Sequence, residues 1–317
     1  MSSVYITDYV SNPNIEKKIL NKKLSARISS KVRVLLVWHQ KINSSYLDQF
    51  PNLEGIVRYG VGIDSVDLKE VKKRKLILCN TPDYGVDEVS DTAIAMIMNF
   101  QRGILKYNNL AKNLFSSWET NTIKSLKRTS STKLGILGAG MIGASVAIKA
   151  KALGFQVSFF DPFKESGFEK TLRVKRFFSL TDLLNDSDVV SIHLPLNKET
   201  KGLVDKKFLD SMKKNSFLIN TSRGGIIKDI DLIYHYLINK KLGGIGFDVL
   251  PSEPPKRGLL IDAWRSDKKN FRDKIIITPH TSYFSREAYI EMRKSAAQCA
   301  LDIIRKKNPK NIVIDAR

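Results

Sequence analysis

Cysteine is nearly absent. Cys79 and Cys299 are the only two in 317 residues, and neither stands in a CxxC pair. That excludes a disulfide framework, argues against a structural metal site and fits a reducing, cytoplasmic setting. Histidine is scarce too, with His39, His193, His235 and His280 making up the whole set. No long apolar run is uninterrupted: the most apolar stretch, Leu134 to Phe155, contains five glycines and two lysines, which makes a poor membrane span. Residues Met1 to Asp8 lack a basic segment followed by an apolar one, so no signal peptide is expected. Acidic residues are few beside basic ones, 32 against 53, for a net charge of +21. The lysines are spread over nearly every segment without interleaved aromatics, and no nucleic-acid motif accompanies them. The charge reads as a solvated surface that mildly steers carboxylates, and neither nucleic acid nor membrane is expected as a partner.

What is present reads as a globular α/β chain. Hydrophobic content of 42% and charged content of 27% are ordinary. The length exceeds one core of ordinary size, so two domains are expected. Strands are expected at Val4–Ile6, Val32–Trp38, Gly55–Arg58 and Leu76–Cys79, with helices at Asn14–Leu24, Ser44–Gln49 and Leu68–Arg74. A long helix should follow from Val86 to Tyr107, then a polar connection from Ser116 to Lys133. A second strand series is expected at Leu134–Leu137, Gln156–Phe160, Val189–His193, Phe217–Asn220, Gly244–Asp248 and Ile275–Thr278. A final helix, Ser285 to Lys306, and a short tail close the chain. This alternation predicts a doubly wound parallel sheet in each half, with ligands outside the carboxyl ends of the strands.

The strongest single motif is GAGMIG, from Gly138 through Ala139, Gly140, Met141 and Ile142 to Gly143. The first glycine allows a tight strand-to-helix turn and the second lets the backbone approach a pyrophosphate. The third permits close helix–strand packing, with the helix N-terminus facing the phosphates. An apolar strand precedes the motif, and a helix-prone run to Leu153 follows it. The next strand ends at Asp161, 23 residues after Gly138. An acid there suits the ribose hydroxyls and repels a 2′-phosphate, so NAD is expected rather than NADP.

A nicotinamide cofactor exchanges a hydride with a carbonyl or hydroxyl carbon, and on a carboxylate-bearing substrate that takes a cation for the carboxylate, a proton donor for the carbonyl oxygen and a group that keeps the donor protonated. Arginine, histidine and a neighbouring carboxylate suit these tasks in turn. Arg223 follows an expected strand in NTSRGG, Glu253 follows GFDVL, and His280 follows Pro279 after IIIT. All three stand at expected strand ends. Spacing alone leaves each compatible with a structural role. His39 and His235 read as structural, and His193, which also ends a strand, as cofactor-adjacent.

At these residues a family resemblance emerges. The chain resembles the D-isomer-specific 2-hydroxyacid dehydrogenases over nearly its whole length. The segments that carry it are, in order, VRYGVGID (57–64), CNTP (79–82), Gly138 to Gly143, HLPL (193–196) with Thr200, SRGG (222–225), FDV (247–249) with Glu253 and Pro254, and Pro279 with His280. It looks closest to the branch that includes the C-terminal-binding proteins and their bacterial enzyme relatives. The resemblance implies a Rossmann NAD domain, 101–284, inserted into a flavodoxin-like substrate domain, 1–100 with 285–317. Closure about two crossing segments would exclude water and bring Val61 and Gly62 to Arg223 and His280.

It also implies roles. Arg223 would bind the substrate carboxylate, and His280, paired with Glu253, would be the proton donor in reduction. The N–H groups around Val61 and Gly62 would hold the carboxylate, while Tyr84 and Tyr283 would shape the pocket. Pro195, Thr200, Thr221 and Ser222 would line the cofactor site with His193, and Asp248 would lie near the nicotinamide amide. Lys228 departs from the pattern, standing where many relatives carry an acid. No metal is expected, the partner is a small 2-keto or 2-hydroxy acid, and a homodimer is the family expectation. The competing reading is a dimeric NAD(H)-sensing binding protein, like the co-repressor relatives that keep the fold. Nothing in the sequence shows the peptide groove it would need.

Overall fold

A computed structural model describes residues 3–8, 10–112, 114, 118–266 and 270–317. Met1 and Ser2, and Ser116 and Ser117 of the polar connection, lie outside the described residues.

The chain begins β1 (Val4–Ile6), α1 (Asn14–Leu20), β2 (Leu24–Ser25), β3 (Val34–Val37), α2 (Ser44–Leu47), β4 (Gly55–Arg58), α3 (Leu68–Lys73) and β5 (Ile77–Cys79). Two helices follow, α4 (Val86–Arg102) and α5 (Ile104–Ala111). Then come β6 (Lys133–Leu137), α6 (Met141–Ala152), β7 (Gln156–Phe160), α7 (Phe168–Leu172), β8 (Lys175–Phe177), α8 (Leu180–Asp186) and β9 (Val189–Ile192). The series continues through α9 (Lys206–Ser211), β10 (Ser216–Asn220), α10 (Ile230–Ile238), β11 (Leu242–Phe247), α11 (Leu259–Arg265) and β12 (Ile275–Ile277). It ends with α12 (Arg286–Ile304) and β13 (Ile312–Asp315).

These elements form two compact units, one of residues 1–85 with 284–317 and one of 86–283. The first holds a six-stranded sheet in the order β13-β5-β4-β3-β1-β2, parallel except for β13, which pairs antiparallel with β5. Its strands are short apolar runs buried on both faces. Val34, Leu35, Leu36 and Val37 are all fully buried, as a sheet covered by helices on both sides requires. Behind this sheet, α1 and α12 meet over a buried ion pair in which Arg293 donates to both oxygens of Glu16. The Tyr59 hydroxyl donates to the same carboxylate at 3.0 Å. Burial, and then the Glu16 charge beside it, pushes the Tyr59 phenol well above its ordinary range.

The second unit holds seven strands in the order β12-β11-β10-β9-β6-β7-β8, all parallel. The chain winds outward from β6 through β7 and β8, returns to β9 on the other side of β6, and winds outward again. The order thus reverses between β6 and β9, and a crevice opens outside the carboxyl ends of those two strands. Both sheets are as the α/β reading expected.

Three details differ from the sequence expectation. The helix expected from Val86 to Tyr107 breaks at Gly103, whose φ of +62° ends α4 before α5 starts. The expected tail contains β13, and β2 and β8 are strands that the apolar pattern missed. The domain boundary expected near residue 100 lies instead before α4, between Gly85 and Val86, because α4 packs on α6, β10 and β11 and so groups with the second unit.

Candidate active site

At the switch point, β6 runs into Gly138 with φ +89°; a Cβ there would lie 2.7 Å from the His193 carbonyl oxygen at the end of β9. Gly143 sits in the first turn of α6, and a Cβ there would stand 2.0 Å from the Gly138 carbonyl oxygen. The helix therefore rests directly on the turn. Gly140, the residue that precedes α6, has open space over it: a Cβ would meet nothing within 4 Å. The two crowded glycines are structural requirements of the turn, and the uncrowded one leaves the helix N-terminus accessible.

Asp161, just past the end of β7, folds back on this turn. One carboxylate oxygen accepts from the N–H of Ala139 at 2.9 Å and the other from the N–H of Phe163 at 3.0 Å. Arg176 in β8 clamps the loop from below, donating to the carbonyls of Asp161, Lys164 and Glu165. His193 faces the turn from β9. Its Nε2 pairs with the Ser191 hydroxyl at 2.8 Å, while its Nδ1 is buried without a partner. Burial pushes its pKa down to about 3, so the ring is neutral near pH 7. Thr221, beyond β10, also buries its hydroxyl without a partner. Pro195 and Thr200 stand together: the Thr200 hydroxyl donates to the Pro195 carbonyl at 2.5 Å within their own turn. A glycine turn with open space over its helix end, beside two orphaned buried polar atoms, fits a dinucleotide better than it fits a self-contained core. Among the described residues no cluster of side chains suits a metal ion.

Arg223, Glu253 and His280 follow β10, β11 and β12, three adjacent strands. The His280 Nδ1 and a Glu253 carboxylate oxygen lie 2.7 Å apart. The second Glu253 oxygen accepts from the Leu250 N–H at 2.8 Å. Burial works against the charged form of Glu253. The bond to His280, the Leu250 N–H and the Arg223 charge outweigh it, and the carboxyl is held below its usual range. His280 has a φ of +56°, and its N–H donates to the Asp248 carbonyl at 2.8 Å.

Asp248, 2% exposed, organises this loop. Its carboxylate accepts from the Thr278 hydroxyl at 2.6 Å and from the N–H groups of Thr281 and Ser282 at 3.0 Å each. The loop on the β10 side is pinned by Asn220, which accepts from the Ser222 N–H and hydroxyl and donates to the Arg223 carbonyl. Tyr283, half-buried, closes the His280 segment. Asn220 and Thr278 are positioning residues that the sequence reading missed. Asn220 carried a signal, because an asparagine two residues before a serine at a strand end is the mark of an Asx turn.

In the first unit, Val61 and Gly62 lie on the loop after β4. Gly60, with φ +113°, donates its N–H to the Thr81 hydroxyl at 2.5 Å, and Asn80 donates to the Val61 carbonyl at 2.8 Å. Tyr84 is nearly buried beside this loop, its hydroxyl 3.4 Å from where a Gly60 Cβ would be.

Comparison with known proteins agrees with this geometry. Residues 94–282, more than half of the chain, match the family model described as D-isomer specific 2-hydroxyacid dehydrogenase, NAD binding domain. A glyoxylate reductase of Korarchaeum cryptofilum is 30% identical over 275 residues, covering 86% of this chain and 79% of that protein. C-terminal-binding protein 1 of Caenorhabditis elegans is 27% identical over 306 residues, but the chain spans only 40% of its length. A D-lactate dehydrogenase of Aquifex aeolicus, solved with NAD and lactic acid, has the same fold. Its TM-score is 0.85 at 24% identity, with 98% of this chain and 99% of that one covered. With the glycine turn at the switch point and the match running through it, the chain belongs to the D-isomer-specific 2-hydroxyacid dehydrogenase family.

Proposed function

We propose that the protein is an NAD-dependent D-2-hydroxyacid dehydrogenase that interconverts a small 2-keto acid and its 2-hydroxy acid. The observation that carries this is the 2.7 Å pair of His280 with Glu253, beside Arg223, at three adjacent strand ends. A nicotinamide bound here would supply or accept the hydride at C2 of the substrate. Arg223 binds the substrate carboxylate as a bidentate cation and polarises the carbonyl. His280 gives a proton to the carbonyl oxygen as it becomes a hydroxyl, and takes it back in oxidation. Glu253 orients the ring through Nδ1.

The cofactor is held by Gly138 to Gly143, with Ala139, Met141 and Ile142 presenting the helix end, and by His193, Pro195, Thr200, Thr221 and Ser222. Asp248, whose oxygens are taken by Thr278, Thr281 and Ser282, acts by holding the His280 loop. Val61, Gly62, Tyr84 and Tyr283 are the proposed further substrate contacts, and a homodimer is part of the reading.

The test is the decay of NADH absorbance with purified protein and a panel of 2-keto acids, repeated with NADPH. Rapid oxidation of NADH, and not of NADPH, by one or two acids is the expected result. Asp161→Ala should narrow that preference, since the carboxylate at the end of β7 is what repels a 2′-phosphate. Binding of NADH without turnover of any acid, together with a change of oligomeric state, would favour instead a sensing protein like the C-terminal-binding relative.

A further inference from the structure

The amino-terminal edge of the seven-stranded sheet, the edge away from the glycine turn and His280, holds a cavity of about 690 Å³. The first residues of β9, β10 and β11 and the end of α4 form its walls. Five lysines far apart in sequence line it: Lys106, Lys127, Lys214, Lys240 and Lys274. Lys127 is paired with Asp188 at 3.2 Å. The other four make no ion pair among the described residues. Asp273 also lines the cavity, and the balance stays positive. Phe100 and Phe217 supply an apolar surface, stacked with ring centroids 4.9 Å apart and planes at 15°.

Lysines scattered over a solvated surface would avoid one another, yet here the fold gathers them around one concavity. A bound anion would lower their mutual repulsion. Each ammonium is a compact charge with three donors, which suits phosphate oxygens. The aromatic pair suits a planar or apolar body. Dinucleotide sites in open α/β sheets use the carboxyl edge, so this cavity is not part of the cofactor crevice. We infer that it binds a small organic polyphosphate, with the phosphates on the lysines and the body of the ligand on the Phe100–Phe217 pair. A concave pocket of this size takes a small molecule, whereas a nucleic-acid backbone needs an extended basic stripe.

Calorimetric titration of ATP and of inorganic tripolyphosphate into protein saturated with NADH tests the inference, because the NADH keeps nucleotides out of the cofactor turn. One saturable site per chain is expected, with ATP bound more tightly than tripolyphosphate. Lys214→Ala with Lys240→Ala should weaken both ligands about tenfold or more, and Phe217→Leu should narrow the gap between them. Lys69→Ala with Lys72→Ala, at two exposed positions on α3, should change neither. The inference is overturned by the absence of saturable binding, by equal weakening in the two lysine pairs, or by ATP binding that NADH abolishes. A single-stranded oligonucleotide bound more tightly than ATP, with the same lysine dependence, would overturn the small-molecule reading.

Discussion

His193 lies where a proton is costly. Its folded pKa of about 3 is below the ordinary 6.5, so the unfolded chain takes up a proton that the folded one refuses. Stability from this residue is complete above about pH 6.5 and falls as the pH drops from there towards 3. At pH 5 the loss should be about 2 kcal/mol. Urea midpoints at pH 7 and pH 5 measure it, and His193→Asn should show a smaller drop than the parent. Glu253 titrates lower. Its depressed pKa means that its pairing contributes above the ordinary carboxylate range and is lost as pH falls through the depressed value. Its larger effect should be on rate. Glu253→Gln should slow keto-acid reduction by up to about 10²-fold at neutral pH, because the His280 ring loses the partner that orients it. NADH affinity should hardly change. Stopped-flow reduction beside NADH titration separates these, and an unchanged rate would mean that Glu253 does not support His280.

Among the elements, α6 and the turn before it make the sharpest contrast. Gly143→Ala forces a methyl group against the Gly138 carbonyl oxygen, 2.0 Å away, and backbone does not yield as a side-chain tip does. A cost of ~1–3 kcal/mol is expected from overpacking, with NADH binding weakened as α6 shifts. Gly140→Ala meets only open space, so it should melt like the parent and still bind NADH less tightly. Melting curves paired with NADH titration distinguish the two.

The same turn shows what a sequence makes legible. Its glycines, the strand before it and Asp161 after it are local and periodic, and they could be read off the chain. So could the strand-end positions of Arg223, Glu253 and His280. Gly103 was legible as a residue but not as a break, because an isolated glycine in a helical pattern is usually tolerated. β8 (Lys175–Phe177) has little apolar pattern to see and β2 has only two residues, so pairing with neighbours defines both. The hold of Asp248 on Thr278 and Thr281, about thirty positions away, has no local trace at all.

At the scale of the molecule, the first unit is built from both ends of the described chain, joined by Arg293 and Glu16. A buried ion pair contributes little net stability while intact, and breaking one side strands the other charge. Arg293→Met should therefore cost about 3–5 kcal/mol. Adding Glu16→Gln, which keeps an acceptor for Tyr59, should recover most of it. Urea unfolding followed by tyrosine and tryptophan fluorescence reads this, and NADH binding by the second unit should persist past the first transition. Equal losses in the single and double variants would show that the pair does not behave as a stranded charge.

The placement of β13 sets an order on synthesis. The second unit is one continuous stretch and can close as soon as it has left the ribosome. Residues 3–85 emerge earlier but cannot complete their sheet: the outer edge of β5 stays unpaired until Ile312–Asp315 are made. At ~5–20 residues per second that interval is on the order of tens of seconds. Throughout it, the nascent chain carries an open, apolar strand edge of Ile77, Leu78 and Cys79. The half translated first is thus the half finished last, and it is the one that a chaperone would have most reason to attend.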